Sequence, residues 1–72
     1  MSANFEGNIR RLRELKALSQ RDLAALAGLS VTTVNRVEIG LRRPIPSTVR
    51  KLAQALGVSP EDLFTDQLRL ME

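Results

Sequence analysis

Apolar residues recur at helical spacing along this chain, and the rhythm breaks at serines, glycines and prolines. Ile9, Leu12 and Lys16, flanked by Phe5 and Arg13, fall on one side of a helix over about Asn4 to Ala17, because positions three and four apart stack on one face. Leu15 projects off that stripe and either packs at the bundle edge, the favoured reading, or sits exposed as a contact surface. Ser19-Gln20-Arg21-Asp22 has the form of a capping box, in which a serine oxygen and a carboxylate satisfy the free amides of a helix start, so a second helix begins at Gln20. Leu23, Ala24 and Ala27 share its inner face. Gly28 then stands where the chain must leave the helix with a positive φ. Ser30 caps a third helix reaching about Ile39, which turns Val34 and Val37 inward and stops at Gly40. Leu41 to Ile45, with two arginines and Pro44, reads as a loop, and Pro46 suits the first position of a fourth helix. That helix carries Val49, Leu52, Ala53 and Leu56 on one side and ends at Gly57. Ser59-Pro60-Glu61-Asp62 repeats the cap logic and predicts a short fifth helix bearing Leu63 and Phe64. The fold class is all-α, a compact five-helix bundle whose second and third helices are joined only by Gly28-Leu29-Ser30. Residues 1–72 read as a single domain with its core at about 5–65 and a C-terminal tail at 66–72.

Size narrows the picture: 72 residues make one domain with a modest core. With no cysteine, neither a disulfide nor a thiolate metal site is expected, and a reducing cytoplasm, near the nucleoid, is the expected setting. No apolar run approaches the roughly 18 residues of a membrane span, and Met1 to Phe5 lacks the regions of a signal peptide. Without histidine or cysteine no serine has a recognisable base, and no carboxylates are set as a pair, so an enzyme is not expected. No metal, cofactor or small-molecule ligand is implied. Two phenylalanines, both explicable as core, make a poor stacking platform for single-stranded nucleic acid.

Charge distribution adds more than the total of +3. Residues 30–51 hold Arg36, Arg42, Arg43, Arg50 and Lys51 against Glu38, whereas residues 60–72 hold Glu61, Asp62, Asp66 and Glu72 against Arg69. The middle is basic and the end acidic, as if one end avoids phosphate. The third helix, with one apolar edge and small polar residues elsewhere, is shaped to enter a major groove about 12 Å wide. Val31, Thr32, Thr33, Asn35 and Arg36 are available to face outward as base-reading residues. Arg36 offers a donor fork to guanine O6 and N7, the threonines can hydrogen-bond or touch thymine methyls, and Val31 suits a thymine methyl. Gln20, Ser30, Arg42 and Arg43 stand where phosphate oxygens are met, which fixes register without reading sequence.

An ordered set of residues then carries a resemblance: Ile9-Arg10, Leu12-Arg13, Leu18-Ser19-Gln20, Leu23-Ala24, Ala27-Gly28-Leu29-Ser30, Val34, Val37, Glu38, Gly40, Pro44, Leu52-Ala53, Leu56-Gly57-Val58-Ser59 and Asp62-Leu63-Phe64. The chain resembles the Xre-type helix-turn-helix family of phage Cro and repressor-like domains. That resemblance implies a lambda repressor-like fold, double-stranded operator DNA as partner, and a homodimer on a palindromic site. It also makes Gln20 a phosphate-clamping glutamine and Arg13–Glu38 an interhelical ion pair, structural rather than DNA-contacting. Val31 and Thr32 replace the longer polar side chains frequent in the family and cannot make bidentate contacts. Ala17 stands where glycine is common, which suggests a helical turn or a plain alanine. Dimer contacts are expected among Val58, Leu63, Phe64, Leu68 and Leu70, although Leu63 and Phe64 would equally close the core. Repressor, activator, restriction-modification controller and antitoxin would all carry this domain. A rival use of the fold, as a protein-interaction module of antitoxin type, would show acidic or apolar residues on the third helix and following loop; Arg36, Arg42 and Arg43 are what phosphate requires.

Overall fold

A computed structural model describes residues 5–64. Within them four α-helices follow in order: α1, Phe5–Leu15; α2, Gln20–Ala27; α3, Val31–Glu38; and α4, Pro46–Leu56. The fifth element, Pro60–Phe64, is a 3₁₀ helix rather than the expected α-helix. Two tertiary ties fasten it to α1. Asn8 Nδ2 donates to the Leu63 carbonyl at 2.9 Å, and the Phe64 ring stacks on Phe5 with centroids 4.8 Å apart. Its start also differs from a capping box, since the Asp62 carboxylate accepts from both the amide and the hydroxyl of Ser59.

The core joins all five elements. Ile9, Leu12, Leu23, Val34, Val37, Leu52, Leu56 and Leu63 lie inside it, with Phe5, Ala24, Ala27, Val49 and Ala53 around them. Burying each large side chain contributes roughly 1.5–3 kcal/mol, which is how so short a chain holds together. Leu63 is wholly buried and therefore closes the core instead of meeting a second copy. Leu15 is 64 % exposed, not packed at the bundle edge, and Lys16 lies beyond the end of α1 on the surface. Leu68, Leu70 and the 66–72 tail fall outside the described residues.

Local chemistry sets the helix boundaries. Ser19 accepts from the Asp22 amide at 3.0 Å while Asp22 accepts from the Ser19 amide at 3.0 Å, the reciprocal box predicted for α2. At its far end Gly28 has φ +71°, and the Leu29 amide reaches back to the Ala24 carbonyl. This six-to-one bond closes the helix and turns the chain directly into Ser30. Pro46 opens α4 behind Ile45, which offers no side-chain cap. At the end of α1 the same six-to-one bond runs from Leu18 to Arg13, but the left-handed residue there is Ala17, with φ +56°. The alanine thus takes up the backbone conformation a glycine would adopt without strain.

Candidate nucleic-acid interface

Helix α3 is fixed to the body by Val34 and Val37, both fully buried, and by Glu38, 9 % exposed. A helix anchored along that edge presents its other faces. Val31, Thr32, Asn35 and Arg36 are all exposed, and Thr33 is half-buried. Four of the five expected base-reading residues therefore share the outer surface, and the fifth lies at its margin. Arg42 and Arg43 follow in the exposed loop, whose path is set by bonds from the Leu41 and Arg42 amides to the Arg36 carbonyl at 2.9 and 3.3 Å. Among the described residues Arg36, Arg42 and Arg43 form no ion pair, so this stretch presents three uncompensated cations.

The start of α3 is arranged differently from the simplest reading. Ser30 Oγ accepts from the Thr33 amide at 3.0 Å and donates to Thr33 Oγ1 at 2.8 Å. Its single proton is thereby committed, and the proton left to reach outward is that of Thr33. The amides of Val31 and Thr32, ahead of these bonds, have no partner within the helix and remain the donors at this end.

Behind the exposed face lies a polar network that links three helices. Arg13 grips Glu38 bidentately, Nε to Oε2 at 2.6 Å and Nη2 to Oε1 at 3.0 Å, and spends Nη1 on the Leu18 carbonyl at 2.9 Å. The side chains are 12 % and 3 % exposed. The hydrogen bonds to Glu38 raise the guanidinium pKa of Arg13 further, against the lowering effect of its burial. Such geometry offsets much of the cost of burying two charges, and each partner is costly to leave alone. Gln20, half-buried at the head of α2, donates through Nε2 to Glu38 Oε1 at 3.0 Å and to Asn35 Oδ1 at 3.4 Å. The structure therefore brings together Gln20, expected at phosphate, Asn35, expected at a base, and the ion pair, expected to be separate from both. The link spans 15 to 18 residues of sequence, so no local spacing signals it.

A second surface feature lies away from α3. Pro46, Val49, Arg50, Pro60 and Phe64 line a shallow, almost wholly apolar cleft of about 440 Å³. Phe64 is 48 % exposed there. No group of acidic or histidine side chains among the described residues is placed to hold a metal ion. Nor is any described helix long and apolar enough to cross a membrane.

Two short helices joined by a glycine turn, the second anchored along one edge and exposed along the other, define a helix-turn-helix unit. The helix-turn-helix family profile matches residues 9–63, and the chain belongs to that family. An HTH-type transcriptional regulator of Sinorhizobium fredii is 43% identical over 58 residues, which cover 81% of this chain and 75% of the relative. The chain spans less of two Bacillus subtilis regulators, 46% and 44% of their lengths. Among solved structures, the restriction-modification controller C.AhdI from Aeromonas hydrophila superposes with a TM-score of 0.81 at 43% identity, covering 83% of this chain and 91% of that one. The biofilm master regulator SinR, solved in complex with DNA, superposes with a TM-score of 0.79 at 26% identity, over 83% of this chain and 97% of that one.

Proposed function

We propose that this protein is a sequence-specific transcriptional regulator, a repressor or controller, that binds double-stranded DNA with α3 in the major groove. The observation that carries the reading is the outer face of α3: Val31, Thr32, Asn35 and Arg36 exposed together, backed by buried Val34 and Val37 and followed by unpaired Arg42 and Arg43. A helix of this width fits the groove, and the flanking cations supply the sequence-independent attraction that holds it there. In this reading Val31, Thr32, Thr33, Asn35 and Arg36 face bases. Arg42 and Arg43, and the backbone amides rather than the side chains at the helix starts of Gln20 and Ser30, face phosphate.

One α3 reads only a few base pairs, so the functional unit is a homodimer on an inverted repeat, its two α3 helices about 34 Å apart. The apolar cleft beside the half-exposed Phe64 is the surface offered for that pairing. Each copy contributes one domain with its core at about 5–65, and the setting is cytoplasmic.

The test is selection from a randomised duplex library at physiological salt, followed by titration of the winner against its scramble. Enrichment of an inverted repeat, bound at least 1000-fold more tightly than the scramble, is the expected outcome for a specific regulator, whose margin is about 10³–10⁷. Retention without enrichment, abolished by added salt, would reject sequence reading and leave a protein partner as the use of this face.

A further inference from the structure

Glu38, an acceptor, dictates the orientation of two exposed amides in turn. Its carboxylate is clamped by Arg13, so the part of Gln20 that approaches Glu38 Oε1 must be the NH₂ group. That NH₂ also faces Asn35, so the part of Asn35 turned toward it must be the carbonyl oxygen, as observed at 3.4 Å. Both protons of Gln20 are spent inside the protein. Asn35 itself lies on the exposed surface, and with its oxygen turned back to α2, its own NH₂ is the group left to face outward.

We infer that Gln20 is a positioning residue for base recognition, holding Asn35 carbonyl-inward so that Asn35 meets the duplex as a hydrogen-bond donor. The inference rests on the DNA-binding reading given above. An asparagine that recognises adenine does so with both halves of its amide, accepting from N6 and donating to N7. Asn35 held by Gln20 has only donors to offer, and guanine presents two acceptors, O6 and N7, in the major groove. The base opposite Asn35 is therefore guanine. Glu38 and Arg13 act on the same choice at one remove, because they fix which end of Gln20 points inward.

Two measurements test this together. In the free, isotopically labelled protein, the Gln20 side-chain NH₂ resonances should shift when Asn35→Ala removes the acceptor. Asn35 is exposed, so that variant keeps the fold. Unmoved resonances would overturn the relay. Library selection is then run with the wild type, Asn35→Ala and Gln20→Ala, each checked for a normal melting transition. The wild type should require guanine at one position per half-site, and Asn35→Ala should lose that requirement alone. Gln20→Ala should lower the guanine-to-adenine ratio at that same position about tenfold, the size of one lost amide discrimination, and leave the other positions unchanged. Adenine at the Asn35-dependent position, or an unchanged ratio in Gln20→Ala, would overturn the inference. So would equal weakening by Gln20→Ala on every duplex, which would make Gln20 a phosphate clamp. If the Gln20 resonances shift but the wild type enriches no sequence, the DNA-binding reading itself falls and the base assignment falls with it.

Discussion

Glu38 carries a negative charge on the helix proposed to enter a polyanion, and Arg13 resolves that conflict. With the Glu38 side chain 3 % exposed and both of its oxygens bonded to the guanidinium, the pair presents little charge outward. Removing Arg13 strands the carboxylate in a site it cannot leave without unpacking Val34 and Val37. Arg13→Ala is expected to cost about 3 kcal/mol of folding stability, read from the urea unfolding midpoint, at the low end for a broken buried pair because the rim is partly wet. Unchanged stability would show that the pair is dispensable. Arg36 and Arg43 both lack an ion-pair partner among the described residues yet should behave differently. Arg36 stands on α3, so Arg36→Ala should cost about 1–3 kcal/mol on the best site and relax preference at one position. Arg43 stands in the loop, so Arg43→Ala should weaken specific and random duplex alike and reduce the salt slope by about one. Titrations at several salt concentrations separate the two, and exchanged phenotypes would reverse the assignments.

At the level of the elements, the helix ends were the most legible feature and also the place where the sequence departs from the easiest solution. Ser19, Asp22, Gly28, Ser30, Pro46 and Gly57 each act where their local chemistry predicts, because caps and left-handed turns depend on a few adjacent residues. Ala17 shows the converse. It adopts φ +56° to close α1, and Ala17→Gly should raise stability by about 1 kcal/mol, the order of the left-handed penalty for a Cβ. In a chain of this size that is a rise of about 4–8 °C in Tm; a fall would mean that the unfolded state gains more freedom than the strain relieved. The cap of α2 should also show in the acid limb of stability. Hydrogen bonds from the Ser19 backbone amide, and then its hydroxyl, hold the Asp22 carboxyl below the usual carboxylate range. Its contribution is full above the unfolded value of about 3.9 and is lost as pH falls through the lower folded one. Asp22→Ala should flatten that part of the stability curve, followed by urea unfolding at several pH values, and Ser19→Ala should flatten it only in part because the backbone amide of residue 19 remains. What local pattern did not reveal came from distance: Pro60–Phe64, a 3₁₀ turn, is tied to α1 through Asn8, 55 residues from Leu63, and the Gln20–Asn35 link joins two helices.

For the whole molecule the question is how a body with axes of 31, 23 and 18 Å addresses a site longer than itself. One α3 covers too few base pairs for a unique address, and two copies about 34 Å apart would cover a full turn of duplex on each side of a dyad. The basic stretch of 30–51, with Arg36, Arg42 and Arg43 exposed, suits attraction to phosphate, while along the sequence the acidic residues gather after residue 60. Leu63 is spent on the protomer's own core, so of the two residues Leu63 and Phe64 it is Phe64 that turns an outer side to solvent, on the apolar cleft of Pro46, Val49 and Pro60 with Arg50 at its edge, and that cleft is the surface proposed for pairing. Phe64→Glu places a charge in that contact and removes the ring stacked on Phe5, so a normal melting transition is required of the variant, with Ile9 and Leu12 still holding α1 in the core. Sedimentation should show the wild type as a dimer and the variant as a folded monomer with an unaltered helical spectrum. The variant's binding to a single half-site should persist while its preference for the inverted repeat disappears, since each α3 face is intact and only the spacing is lost. If Phe64→Glu remains dimeric and keeps the repeat, pairing uses another surface, and the cleft has no part in operator recognition.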